Sequence, residues 1–264
     1  MKIGFIGMGN MGTAILNGLL TKYPKEDFLF SCRRVEHAEE IKKSTGINAA
    51  KDNVHCAKCS DILILAVKPQ VYPEVLAEIK PVLNGKQMII SLAPGFAIAD
   101  LKKELGEEIR IIRIMPNTPA LLKEGMTGVS YNEKEFSASD WQQILEIMSS
   151  FGKMVKVEEK LMDAVVAVSG SSPAFVYLFI DALADAGVRY GLKKSDALMM
   201  AAQTVYGSAK MVLETGEHPA VLKDRVCSPG GTTIAGVAAL KEAGFESAVM
   251  KGCDAVYQKC HNVK

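Results

Sequence analysis

Apolar and polar positions in the first half of the chain fall into two alternating patterns. Short runs that are apolar at nearly every position recur at 2–6, 28–31, 61–67, 87–92 and 109–114. Between them, at 11–20, 71–83 and 98–105, apolar residues return every three to four positions, and 36–44 is a more polar segment ending near Gly46. A short, unbroken apolar run reads as a strand buried on both faces, and the three-to-four spacing reads as the buried stripe of a helix. Asp61-Ile62-Leu63-Ile64-Leu65-Ala66-Val67 is the clearest strand, and the helix after it is expected to start around Pro73. Strands alternating with helices predict a parallel, doubly wound α/β sheet. A short strand at 129–131, a helix over 139–151 and a strand over 153–157 complete this half.

From about Glu159 the strand pattern stops. Helices are expected at 161–168, 174–186, 195–215, 219–226, 234–243 and 245–259. Gly170-Ser171-Ser172-Pro173 reads as a break, Ser195 as an N-cap, and Gly187, Gly216 and Gly244 as helix ends. The chain is therefore read as two domains, 1–158 with the sheet and 159–264 all helical. Apart from Asp181 and Asp185, helix 174–186 is apolar on every side and should be buried all round. A helical domain of about 100 residues encloses such a helix poorly by itself, which predicts a homodimer packing these helices between subunits.

Composition narrows the partners. The chain has 264 residues, enough for a sizeable core, and 31 basic against 30 acidic side chains leave a formal net charge of +1. A nucleic-acid partner normally demands a basic excess, so none is expected. The richest apolar stretch, 164–186, is interrupted by Gly170, Ser171, Ser172, Pro173, Asp181 and Asp185, and no membrane span is expected from it. With no export signal read at the N-terminus, the expectation is a cytoplasmic protein whose cysteines are free thiols. Cys56-x-x-Cys59 has the spacing of a metal or redox pair but lacks a second pair, so no metal site is expected.

The candidate chemistry lies at strand ends. Gly7-Met8-Gly9-Asn10-Met11-Gly12 follows the first strand, ending at Ile6, and opens a helix. In that context G-x-G-x-x-G is the dinucleotide fingerprint of a Rossmann domain. The first glycine permits the tight turn, the second a close approach to pyrophosphate, and the third close helix–strand packing. The helix start adds free N–H groups and a positive dipole end. The second strand ends at Ser31-Cys32-Arg33-Arg34, with no acid to bond a ribose 2′-hydroxyl. A hydroxyl and two guanidiniums suit a 2′-phosphate, favouring NADP(H), with NAD(H) as the alternative and plain surface charge as the competing account of the arginines. Further strand ends carry Ala66-Val67-Lys68-Pro69-Gln70, Ser91-Leu92-Ala93-Pro94-Gly95 and Ile114-Met115-Pro116-Asn117-Thr118-Pro119. In the helical half, Ser228-Pro229-Gly230-Gly231-Thr232-Thr233 precedes a helix and can aim N–H groups and hydroxyls at an anion.

Together the fingerprint, A-V-K-P-Q, M-P-N-T-P, S-G-S-S-P-A and, above all, S-P-G-G-T-T-I-A-G-V-A-A-L-K-E-A-G-F up to Phe245 resemble the Δ1-pyrroline-5-carboxylate reductase family, over nearly the whole chain. The resemblance implies reduction of the cyclic imine to L-proline by NAD(P)H, the last step of proline biosynthesis. It also implies a helical dimerisation domain, dimers that assemble further in some members, and an active site between the nicotinamide and the C-terminal helices. Carried over residue by residue, it assigns cofactor contacts to Ala66, Val67, Lys68 and Pro69, an adenosine contact to Asn53, and substrate binding to Gly230, Gly231, Thr232 and Thr233. Ala93 joins the cofactor set, while the neighbouring Pro94, where the family often has Ala, has no N–H to offer. Glu159 matches a substrate-proximal acid of some members, and Arg225 stands where some have Asn.

Imine reduction asks for positioning more than for strong acids, because a protonated imine is already electrophilic. The substrate carboxylate is expected on the N–H groups of Gly231 to Thr233, and the Thr233 hydroxyl on the ring nitrogen, orienting it or relaying a proton. Simple helix capping by Thr232 and Thr233 is the competing account. Lys68 reads as cofactor support, and Ser169, Ser171 and Ser172 lack the G-x-S-x-G elbow of a hydrolase. The rival enzyme class is a β-hydroxyacid dehydrogenase, for which Lys210 has the wrong surroundings (G-S-A-K-M). The rival of another class is a non-catalytic dinucleotide sensor, for which the second anion turn has no use.

Overall fold

The computed structural model describes residues 1–261. The chain forms two compact units, one of residues 1–171 joined by the end of the last helix from Val256, the other Ser172–Ala255.

The first unit is built on β1 (Ile3–Ile6), β2 (Phe28–Ser31), β3 (Ile62–Leu65), β4 (Met88–Ser91), β5 (Arg110–Met115), β6 (Gly125–Tyr131) and β7 (Gly152–Lys156). They form one sheet in the order β2-β1-β3-β4-β5-β6-β7. Helices α1 (Asn10–Leu19), α2 (Val35–Thr45), α3 (Asn53–Lys58), α4 (Tyr72–Ile79), α5 (Ile98–Leu105), α6 (Ala138–Ser149) and the short α7 (Met162–Val165) connect the strands and follow them. Because successive side chains alternate across a strand, β3 sends Ile62 and Ile64 to one face and Leu63 and Leu65 to the other. The first face packs with Ile15, Leu16 and Leu19 of α1 and Ile144 and Ile147 of α6. The second packs with Tyr72, Leu76 and Ile79 of α4 and Leu101 and Leu105 of α5. Two covered faces explain why β1 and β3 are apolar at every position, each buried Ile or Leu contributing about 1.5–3 kcal/mol.

The parallel expectation holds from β1 to β5. β6 then runs antiparallel to β5 and carries β7 parallel to itself, which corrects the all-parallel reading. β6 is also longer than the expected 129–131, because its first half, Gly125-Met126-Thr127-Gly128, gives a poor apolar signal. Its glycines are there for space: a Cβ on Gly128 would lie 2.6 Å from Val165, and one on Gly125 2.8 Å from Ala120. Helix α3 has no apolar stripe long enough to read in sequence. It is started by Asp52, whose carboxylate accepts the His55 N–H at 2.7 Å.

The second unit contains α8 (Ser172–Arg189), α9 (Lys194–Thr215), α10 (Pro219–Val226), α11 (Thr232–Glu242) and most of α12 (Phe245–His261). Three local readings change. Gly170-Ser171-Ser172-Pro173 does not break the chain: residues 166–170 form a π-turn, closed by Ser171 N–H to Val166 O at 2.8 Å, and α8 continues from it. Gly187 does not end α8. A Cβ there would lie 3.0 Å from that of Ala197, so it serves the close approach of α9. The terminator is Gly191, at φ +96°, with Leu192 N–H bonding back to Gly187 O at 3.0 Å. The N-cap of α9 is Lys193, not Ser195.

Because the break is absent, residues 159–189 form a helical run of 31 residues, long and apolar enough to cross a membrane by length and composition only. Within one chain, α8 is not buried on all sides. Ala184 is its one buried residue, in a small cluster with Ala197 and Ala201 of α9.

Candidate active site

The order of the sheet reverses at β1: the chain passes from β1 to β2 on one side and returns to β3 on the other. Open α/β sheets bind ligands outside the carboxyl ends of strands at such a reversal. Register brings the relevant ends level, with Ile6 opposite both Ser31 and Leu65. The turn after β1 is tied to the end of β2 by Gly7 N–H to Ser31 O at 3.2 Å. Gly7 is at φ +93°, and a Cβ on it would meet the Val67 backbone nitrogen at 2.7 Å. A Cβ on Gly12 would meet Gly7 O at 2.5 Å, whereas one on Gly9 would find nothing within 4 Å. Two glycines are thus required by the protein's own packing, and the middle one opens onto free space. That is the cradle a pyrophosphate needs, so the residues present fit a dinucleotide.

A cleft of about 230 Å³ lies there, lined by the predicted Ile6, Gly7, Met8, Gly9, Ser31, Arg33, Arg34, Asn53, Ala66, Val67 and Lys68. Asn10, Met11, Gly12, Pro69 and Ala93 do not line it. The first three begin α1, Pro69 opens the short helical turn behind Lys68, and Ala93 is buried. The lining also includes Cys32, His37, Val71 and Val75, which sequence reasoning missed. The spacing held a signal for His37, in the first turn of α2, and for Val71 and Val75, four apart. The His37 ring is fixed by Nε2 at 2.6 Å from Met8 O and Nδ1 at 3.1 Å from the Glu40 carboxylate. Arg33 is ion-paired with Glu74 at 2.7 Å, and the Asn53 amide donates to Glu78 at 2.6 Å. Cys56 is buried with its thiol toward Phe5 O, while Cys59 is exposed. Burial pushes the Cys56 thiol up to about 12, so it stays protonated near neutral pH.

Farther along the same edge, Tyr72 ties β3 to β4. Its hydroxyl donates to Leu65 O at 2.8 Å and accepts the Leu92 N–H at 3.2 Å, and burial pushes the phenol up to about 12. Arg113 lies opposite Ser91 on β5, with its side chain 8% exposed and Nη1 3.3 Å from Glu159. Glu159 also accepts the Ile98 N–H at 2.6 Å, at the start of α5. The predicted substrate acid is therefore already bonded to two groups of its own unit, beside a cavity of about 600 Å³ that Gly95, Ala97 and Asp163 also line. Asn117, in M-P-N-T-P, was not singled out from sequence. Its side-chain oxygen accepts the Met126 N–H at 2.8 Å, and its amide donates to Ser169 O at 3.2 Å.

In the helical unit, Gly230 is at φ +66° and Gly231 N–H closes the turn onto Ser228 O at 3.0 Å. A Cβ on Gly231 would lie 2.3 Å from Ser228 Oγ. α11 begins at Thr232, two residues before the expected start, with Gly231 as N-cap and no side chain capping it. Thr232 and Thr233 are thus the first two helical residues, whose N–H groups have no partner inside the helix. The hydroxyls do not cap it, so the capping account of these threonines loses its footing. Arg225, on α10, is paired with Glu217 at 2.5 Å.

A glycine cradle at the reversal of a doubly wound sheet places the chain among the dinucleotide-dependent α/β enzymes. The helical unit narrows that class. Residues 159–263 match the family model described as pyrroline-5-carboxylate reductase dimerisation, and residues 2–95 match one described as NADP oxidoreductase, coenzyme F420-dependent. The pyrroline-5-carboxylate reductase of Escherichia coli is 45% identical over 98% of this chain and 96% of its own. A crystal structure of Plasmodium falciparum pyrroline carboxylate reductase with NADP bound superposes with a TM-score of 0.88 at 35% identity, covering 98% of this chain and 97% of that one. The Coxiella burnetii pyrroline-5-carboxylate reductase superposes at 0.91 with 32% identity, covering 100% and 98%. The chain belongs to the pyrroline-5-carboxylate reductase family.

Proposed function

We infer that the chain reduces 1-pyrroline-5-carboxylate to L-proline, the final step of proline biosynthesis, as an NAD(P)H-dependent oxidoreductase. The observation that carries this is the match at 45% identity over 98% of the chain to a pyrroline-5-carboxylate reductase. When bound, the reduced nicotinamide supplies the hydride. The chain's own residues bind and orient. The Gly7–Gly12 turn and the start of α1, with Ile6, Met8, Asn10 and Met11, take the pyrophosphate. Asn53 takes the adenosine, and Ala66, Val67, Lys68, Pro69 and Ala93 take the rest of the cofactor. NADP(H) is the preferred form and NAD(H) the alternative, because Ser31, Arg33 and Arg34 offer hydroxyl and guanidinium donors at the end of β2 with no acid in that turn.

The substrate carboxylate docks on the N–H groups of Gly231, Thr232 and Thr233, behind the Gly230 turn, at the positive end of α11. The Thr233 hydroxyl holds the ring nitrogen. Glu159 and Arg225 complete the proposed substrate set, and their ion pairs with Arg113 and Glu217 support a role in shaping the site. The functional division of the chain is at 158/159, beside the start of the dimerisation match at 159. The assembly is a homodimer or a larger arrangement of dimers, located in the cytoplasm. Neither nucleic acid nor membrane is a partner: the net charge is +1, and self-association accounts for the apolar helix.

The test is oxidation of NADPH and of NADH with pyrroline-5-carboxylate, then reduction of NADP with 3-hydroxyacids. Turnover with the imine alone and a lower KM for NADPH are expected. Activity only with 3-hydroxyacids would overturn the substrate, and a clear NADH preference the cofactor. Thr233→Ala should lower kcat/KM roughly 10–100-fold, the scale of one hydrogen bond to a charged group; an unchanged value would remove Thr233 from the site.

A further inference from the structure

Three donors that line the dinucleotide cleft are each held by a glutamate outside it. Arg33 is paired with Glu74 at 2.7 Å, Asn53 with Glu78 at 2.6 Å, and His37 with Glu40 at 3.1 Å. None of the three glutamates lines the cleft. Glu74 and Glu78 stand four residues apart on α4, so one face of that helix holds both Arg33, just after β2, and Asn53, at the start of α3. The Arg33–Glu74 pair matters most, because Arg33 is one of the two guanidiniums at the end of β2.

We propose that Glu74 sets how strongly this chain discriminates a 2′-phosphorylated adenine dinucleotide from the unphosphorylated one, by competing with the 2′-phosphate for Arg33. The proposal rests on the NADP(H) reading above and adds its counterweight. A guanidinium offers five donors in a rigid fork, and a carboxylate at 2.7 Å occupies part of the fork that a phosphate would use. The two side chains are 63% and 60% exposed, so the pair is weak and exchanges with a stronger anion. After the exchange the Glu74 carboxylate stays nearby as a like charge. Glu74 therefore weakens binding of the phosphorylated form and barely touches the other. It moves a chain with no acid at the end of β2 back toward accepting both cofactors.

The test is direct binding to the full-length protein, by calorimetry, of two adenosine fragments that differ only in the 2′-phosphate: adenosine 2′,5′-bisphosphate and 5′-AMP. The readout is the ratio of the two Kd values. Glu74→Gln is expected to widen the ratio in favour of the bisphosphate by about threefold, the scale of an exposed ion pair. The gain should fade in about 1 M salt, where the screening length is about 3 Å. Glu78→Gln removes the same charge from the same helix face without freeing Arg33, and should shift the ratio less. An unchanged or narrower ratio in Glu74→Gln, or an equal shift in Glu78→Gln, would overturn the proposal. Arg33→Ala tests the reading beneath it. Collapse of the ratio in Arg33→Ala, with no response in Glu74→Gln, sinks the proposal alone. A ratio that ignores Arg33 sinks both.

Discussion

A methyl group added to each glycine of the 7–12 turn separates packing from ligand binding. On Gly7 it would force a φ of +93° on an L-residue and press on the Val67 backbone nitrogen at 2.7 Å. On Gly12 it would sit 2.5 Å from Gly7 O. Both neighbours are backbone and cannot swing aside, so Gly7→Ala and Gly12→Ala should lower stability by about 1–3 kcal/mol, read as a lower urea midpoint. Gly9→Ala meets nothing within 4 Å, and its φ of −80° suits any residue. It should fold with a loss of about 1 kcal/mol or less, as an N-cap change. Its dinucleotide affinity should nevertheless fall roughly tenfold, equivalent to about 1.4 kcal/mol. Normal binding by Gly9→Ala would show that its open side does not face the ligand. The three roles were legible in G-x-G-x-x-G because each follows from local backbone geometry. The glutamates behind Arg33 and Asn53 were not legible, since Glu74 and Glu78 reach them from 41 and 25 residues away along the chain.

Among the elements, the turn from β5 into β6 and the π-turn before α8 depend on one side chain. In a continuous helix the carbonyl of Ser169 would accept from residue 173, but Pro173 has no N–H. Asn117 donates to that carbonyl at 3.2 Å and accepts the Met126 N–H at the start of β6. Asn117→Ala removes both bonds and should cost about 1–3 kcal/mol, read in urea at constant m. Adding Pro173→Ala gives Ser169 O a helical donor and should recover part of that loss, so the two changes are coupled. Strict additivity would show that Asn117 does not substitute for the missing N–H. The same stretch shows what apolar periodicity reveals. β1 and β3 were readable because both faces are covered, and β6 was half hidden because Gly125 and Gly128 trade apolar signal for close approach. Proline and glycine were misread at Pro173 and Gly187 for a shared reason. Both usually punctuate a helix, but here tertiary partners, Asn117 in one case and Ala197 in the other, let the helix continue.

For the molecule as a whole, the question left by one chain is what covers α8. Val176, Tyr177 and Leu178 are 40%, 59% and 72% exposed. Successive helical residues step around the axis by about 100°, so these three open most of its circumference. A cluster of Ala184, Ala197 and Ala201 is too small to hold a helix of this composition. The sequence alone predicted that a second copy covers the helix, and the match of residues 159–263 to a dimerisation family supports self-association. Light scattering on a sizing column should therefore give a mass of at least two chains at micromolar concentration, and the unfolding temperature should rise with concentration. A charge at the most exposed of the three positions, Leu178→Lys, leaves little to repack within one chain, but on association it would bury an unpaired ammonium. That is a cost of several kcal/mol per site, doubled if symmetry brings both copies into one contact. The expected result is a shift to monomers without loss of dinucleotide binding, because the glycine cradle belongs wholly to the other unit. A wild-type monomer whose unfolding temperature ignores dilution would instead mean that α8 is not covered by a second copy.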